Sequence, residues 1–148
     1  PGALTSAGTA RHVADFAAAR RYLQTVDGVD GGRVGMTGYC FGGGIAWAAA
    51  TTIPELKAVV PFYGPSPDLA AVPGIRAAVF GVYAEQDTRI TASSEPLKSA
   101  LAAANVIHEI KVYPGVGHAF HNDTGSRYDE AQATQAWRDA LAWFGRYL

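Results

Sequence analysis

Apolar and polar positions alternate between two rhythms along the chain. From Thr9 to Val26, Val13, Phe16, Ala17, Leu23 and Val26 recur near helical spacing, with Thr9 placed to cap. The glycines and aspartates of Asp27 to Gly32 mark a turn, and Arg33 to Thr37 reads as a short strand. Gly38 to Gly42 is a sharp Gly-flanked turn, and Phe41 to Thr51 is a small-residue, Ala-rich helix. Leu56 to Phe62 and Ala77 to Tyr83 are unbroken apolar runs, the pattern of parallel strands buried on both faces. Pro65 to Gly74 reads as loop, as does polar Ala84 to Ile90. Ser93 or Ser94 can cap a helix reaching about Ala104. Val106 to Tyr113 is a strand, Pro114 to Gly125 a loop, and about Ser126 to Tyr147 the last helix. Trp137, Leu141, Phe144 and Leu148 are expected to form that helix's core face.

Strands separated by helices predict an α/β fold: a partial parallel sheet of four strands flanked by helices. In such sheets, sites lie at the carboxyl ends of the strands. The loops after Thr37, Tyr83 and Tyr113 would open on one edge.

Composition changes this picture little. The 148 residues suffice for a single domain spanning 1–148, 49% hydrophobic and 17% charged, which marks a globular chain. Twelve basic and thirteen acidic side chains give a net charge of −1, with no basic run to meet nucleic acid or an anionic membrane. No apolar run is long enough to span a bilayer. One cysteine allows no internal disulfide and suits a reducing compartment, so a cytoplasmic location is expected.

Candidate chemistry falls on the three loops. Gly38-Tyr39-Cys40-Phe41-Gly42, between a strand and a helix, is a nucleophile-elbow pattern, Gly-x-nucleophile-x-Gly, with cysteine at the centre. Glycines on both sides would relieve clashes with the neighbouring strand and helix. The turn places Cys40 at a helix N-terminus, where unpaired N–H groups and the dipole favour thiolate. The Phe41 N–H would then face a developing oxyanion. Asp87, just after the second buried strand, is the candidate acid, with Glu85 as a competitor. His118, after the last strand, is the candidate base, with His121 as its rival. The order nucleophile, acid, base is that of α/β-hydrolases. Each residue also has a plainer reading, as a buried inert thiol, a solvated loop aspartate and a surface histidine. The joint placement favours chemistry. A metal site at His118, His121 and Asp123 lacks a second cluster, and Gly42-Gly43-Gly44 lacks the Gly-Lys-Ser/Thr of a phosphate loop.

On Gly38-Tyr39-Cys40-Phe41-Gly42-Gly43, Gln86-Asp87 and Gly117-His118-Ala119-Phe120 the chain resembles the dienelactone hydrolase family, the carboxymethylenebutenolidases, from about Ala10 to Leu148. The resemblance implies an α/β-hydrolase fold, a Cys40–Asp87–His118 triad, and hydrolysis of a small ester or lactone without cofactor or metal. Tyr63 matches an aromatic pocket residue. It further implies upstream strands, a second oxyanion donor, a glutamate on the resting cysteine and a substrate-holding arginine, none with a counterpart here. The chain, starting Pro-Gly-Ala-Leu without Met, therefore looks like the C-terminal catalytic portion, its sheet completed by a preceding segment or a second chain. The family's arginine shortly after the histidine is replaced here by His121 and Asn122, which speaks against dienelactone itself as substrate. A class I glutaminase also places cysteine in such an elbow, but its His-x-Glu is absent because Phe120 stands there. A further alternative is an incomplete or non-enzymatic module with an idle triad.

Overall fold

The computed structural model describes residues 6–148, so the chain's first five residues lie outside it. Four parallel strands form one sheet in the order β1 (Gly35–Tyr39), β2 (Ala58–Phe62), β3 (Ala78–Ala84), β4 (His108–Tyr113). Helix α1 (Thr9–Leu23) precedes β1 and α2 (Phe41–Thr52) follows it. A 3-10 turn (Leu69–Gly74) follows β2. Short α3 (Thr88–Thr91) and α4 (Ser94–Ala103) join β3 to β4, and α5 (Glu130–Tyr147) ends the chain. This is the expected parallel sheet flanked by helices.

The pleat sorts the core into two layers. Val59 and Val79 face α2 and α4, where Trp47, Leu97 and Leu101 pack. Val60, Phe62, Phe80 and Val82 face α5 on the other side. The central strands β2 and β3 are buried throughout, which is why their sequences show no alternation. On the edge strands, Thr37 of β1 and Glu109 and Val112 of β4 are exposed.

Small residues set how closely the layers approach. Ala46, Ala49 and Ala50 of α2 are fully buried. At Gly64, just after β2, an added Cβ would lie 2.2 Å from the Gly43 carbonyl carbon. Helix α2 and the end of β2 are therefore in backbone contact. The same logic corrects the core face expected for α5. Its buried residues are Ala133, Ala136 and Ala140, while Trp137 is 40% and Leu141 51% exposed. Phe62 and Phe80 fill the space beneath α5, so only methyl-sized groups fit at its line of contact. Phe144 is half-buried against β1, over Gly35, where a Cβ would lie 2.8 Å from its ring.

Several boundaries differ for local reasons. Helix α5 begins at Glu130 because the Asp129 carboxylate accepts the Gln132 N–H at 2.9 Å. Gly8, not Thr9, occupies the N-cap of α1, and α1 buries only Val13. Ser93 stands at the N-cap of α4 but donates its hydroxyl to the Ile90 carbonyl at 2.7 Å. The Leu69–Gly74 turn, read as loop because of its proline, starts at Asp68, which accepts the Ala70 N–H.

Two glycine substitutions test the packing in opposite directions. Gly64→Ala is expected to destabilise by about 1–3 kcal/mol, because backbone rather than a mobile side chain blocks the methyl. Gly145→Ala, in α5 with open space around it, is expected to stabilise by up to about 1 kcal/mol. Urea unfolding midpoints read both.

Candidate active site

The site is built where β1 meets α2. Cys40 joins them with φ 54° and ψ −117°, a backbone conformation that a side-chain-bearing residue adopts only under constraint. Its N–H donates to the Phe62 carbonyl at 3.1 Å, and its carbonyl accepts the Gly44 N–H at 3.2 Å, the bond that opens α2. A Cβ on Gly38 would sit 2.1 Å from the Gly42 oxygen, so the first flanking glycine is sterically required. The second is not: a Cβ on Gly42 would meet open space. The crowding expected there falls one residue later, at Gly43, whose Cβ would lie 2.5 Å from the Phe62 oxygen. Phe41 is the first residue of α2, so its N–H has no partner within the helix.

Parallel register brings the other strand ends alongside. Tyr39 pairs with Phe62, so Tyr63 stands opposite Cys40. Tyr63 also has positive φ, 36°, and its N–H donates to the Val82 carbonyl at 2.7 Å. Asp87 is three residues past β3 and His118 five past β4. Asp87 Oδ2 and His118 Nδ1 are 2.5 Å apart, with Asp87 only 8% exposed. With Nδ1–H donating to a carboxylate, a neutral imidazole carries its lone pair on Nε2. The Tyr63 ring packs edge-on to His118 at 5.2 Å.

The rival residues separate cleanly. The Glu85 carboxylate accepts the Gly115 N–H at 2.8 Å and does not take the histidine. Together with Glu85 N–H to Tyr113 O (3.0 Å) and Gln86 N–H to Val116 O (2.9 Å), it ties the aspartate loop to the histidine loop. His121 packs among the rings of Tyr39, Phe62 and Trp137, and burial holds it below the usual histidine value. Among the described residues no group of three or more His, Cys, Asp and Glu side chains could hold a metal ion.

Cys40, Tyr63, Ala119, His121 and Asn122 line a cavity of about 330 Å³. Ala119, directly after His118, has φ 66°. Among the described residues, three of the four non-glycine residues with positive φ thus surround this cavity, a concentration of backbone strain at one place. Alanine in a loop gives no sequence signal for such a conformation. Burial pushes the Cys40 thiol above its ordinary value, Arg127 pulls it down and Asp87 adds to the rise. Desolvation thus opposes the thiolate that the helix N-terminus favours, and outweighs the nearby cation. Arg127 is a further residue that sequence reasoning missed, since nine positions separate it from His118.

The family model for "Dienelactone hydrolase family" matches residues 2–148. The chain belongs to that family. It is 40% identical over 132 residues to a Salmonella typhi protein named "Putative carboxymethylenebutenolidase", covering 82% of this chain and 49% of the relative. A protein of the same name from Methylorubrum extorquens is 32% identical over 149 residues, with 93% and 51% covered. The chain thus spans about half the length of the curated relatives it matches. A Klebsiella pneumoniae crystal structure described as "Putative Dienelactone Hydrolase" superposes with a TM-score of 0.89 at 34% identity, over 97% of this chain and 64% of that one. A dienelactone hydrolase from Anabaena variabilis superposes at 0.75 with 25% identity, over 95% and 59%. The sheet and its helices are accordingly those of the α/β-hydrolase fold of this family of hydrolases. No helix among the described residues is long and apolar enough to cross a membrane.

Two measurements test the geometry. Iodoacetamide alkylation of Cys40 is expected to rise with pH through an inflection above that of an unperturbed thiol, about 8.5. An inflection well below that value would contradict the burial effect. Glu85→Ala is expected to speed hydrogen exchange at the Gly115 amide, while Glu85→Gln, which keeps an acceptor oxygen, changes it less.

Proposed function

We propose that Cys40, Asp87 and His118 are the nucleophile, orienting acid and general base of a hydrolase for small esters or lactones. The Asp87–His118 pair at 2.5 Å, with the His118 ring packed on Tyr63 opposite the Cys40 elbow, carries this reading. Burial favours the Cys40 thiol over its thiolate, and in this reading attack on the substrate carbonyl transfers the sulfur's proton to His118 Nε2 as the C–S bond forms. Negative charge collects on the carbonyl oxygen, towards the Phe41 N–H. As the C–O bond breaks, the imidazolium returns its proton to the leaving alkoxide. Water then attacks the thioester, giving its proton to Nε2, and the carboxylic acid and Cys40 thiol are released. Asp87 keeps the imidazole in the required tautomer and stabilises its charged form. Tyr63 forms one wall of the acyl pocket. Side chains and water suffice for every step, with no cofactor.

Two features point to a contribution from beyond this segment. In this reading the Phe41 N–H at the start of α2 is the one oxyanion donor assigned, where acyl-transfer sites commonly use two. Strand β1 pairs with β2 alone among the described residues. A preceding segment or a second chain supplying both the donor and a partner for β1 fits these features. A free working thiol suits the reducing cytoplasm.

Turnover of p-nitrophenyl acetate tests the assignment. Cys40→Ala is expected to reduce it to background, and Asp87→Asn to lower kcat on the order of 10³-fold or more by comparison with serine triads. Unchanged turnover by Cys40→Ala would rule out the triad.

A further inference from the structure

The Cys40 cavity continues into a second one of about 400 Å³, towards the start of α5. Tyr39, His121 and Asp123 line both, so the two form one groove. Rings wall the outer chamber: Tyr39, His121, Tyr128 and Trp137. His121 lies between Tyr39 and Trp137, at centroid distances of 5.3 and 6.1 Å. Trp137 and Tyr128 are each 40% exposed among the described residues.

The polar groups in the chamber are acidic or neutral. Asp123 and the Thr134 hydroxyl line it, and no Lys or Arg lines either cavity. Asp123 forms no ion pair among the described residues. His121, the one lining group able to become cationic, is held below the usual histidine value by burial and is mainly neutral near pH 7. Asp129 caps α5 and Glu130 lies in its first turn, while Arg127 is exposed, lines neither cavity, and has a charge that reaches Cys40 in the inner one.

Aromatic faces and an unpaired carboxylate attract the same kind of ligand. Ring quadrupoles present negative faces to a cation, and alkylated ammonium groups are weakly hydrated enough to rest against them. Asp123 supplies the counter-charge. An anionic group in this chamber would meet Asp123 and the same ring faces unfavourably.

We propose that this chamber is a subsite for an alkylammonium group, so that the cleft favours esters carrying a cationic arm. The link to ester cleavage rests on the role proposed for Cys40; binding of the cation does not.

Choline and its uncharged isostere 3,3-dimethylbutan-1-ol separate charge from shape. Titrating each into the protein, and into Cys40→Ala, while following the Trp137 indole N–H by NMR reads binding without turnover. Trp137→Phe assigns that resonance. Choline is expected to bind about ten-fold more tightly than the isostere, with the gap closing in Asp123→Asn. Equal affinities, a gap that survives Asp123→Asn, or no shift at Trp137 overturns the subsite. The matched esters, acetylcholine and 3,3-dimethylbutyl acetate, then read kcat/KM. Preferential choline binding without Cys40-dependent cleavage of either ester leaves the subsite standing and removes the proposed nucleophile. Cys40-dependent cleavage with no charge preference in binding does the reverse.

Discussion

The close approach of helix α2 to the end of β2 governs the geometry of this molecule. Gly43 and Gly64 bring the two backbones together without intervening side chains, and the Cys40 N–H is drawn onto the Phe62 carbonyl. That contact leaves Cys40 a turn with positive φ, and it places Tyr63 directly opposite. Backbone strain of this kind costs of order 1–3 kcal/mol per residue. Burial of Trp47, Phe62 and the alanine face of α2 in the adjoining layers offsets it. A methyl group at Gly64 would push α2 away from the sheet, moving the sulfur and the Phe41 N–H together.

The other half of the site inherits its precision from the sheet. The β3–β4 ladder does not stop at the strand ends: Glu85 and Gln86 continue it by donating to Tyr113 and Val116. The Glu85 carboxylate closes the turn from the opposite side. Asp87 and His118 therefore meet because two loops are extensions of paired strands. Burial disfavours the Cys40 thiolate and the Asp87 carboxylate holds His118 Nδ1, which in the proposed mechanism favours proton transfer during attack over a preformed ion pair. The outer chamber begins at Tyr39, one residue before Cys40.

Much of this was legible in the sequence because it depends on local pattern. Unbroken apolar runs locate β2 and β3, and glycines around Cys40 locate the elbow. Counting onward from strand ends finds Asp87 and His118. What pattern could not show depends on distances between elements. The alanine face of α5 follows from how near the helix lies to Phe62 and Phe80, so the larger Trp137 and Leu141 looked like the core face and are exposed. Gly42 looked sterically required, and the crowding lies at Gly43. A helix start at Cys40 suggested a thiolate, but desolvation acts through the whole pocket and has no sequence signature. The loop clamp at Glu85 and the strain at Ala119 are equally invisible before the loops are placed.

The central claim is that Cys40 becomes acylated with His118 as its base. Intact-mass measurement and peptide mapping after brief exposure to p-nitrophenyl acetate test it most directly. A single acetyl group on Cys40, formed much more slowly in His118→Ala, is the predicted result. Acetylation at other side chains alone, or an unchanged rate at Cys40 without the imidazole, would contradict it.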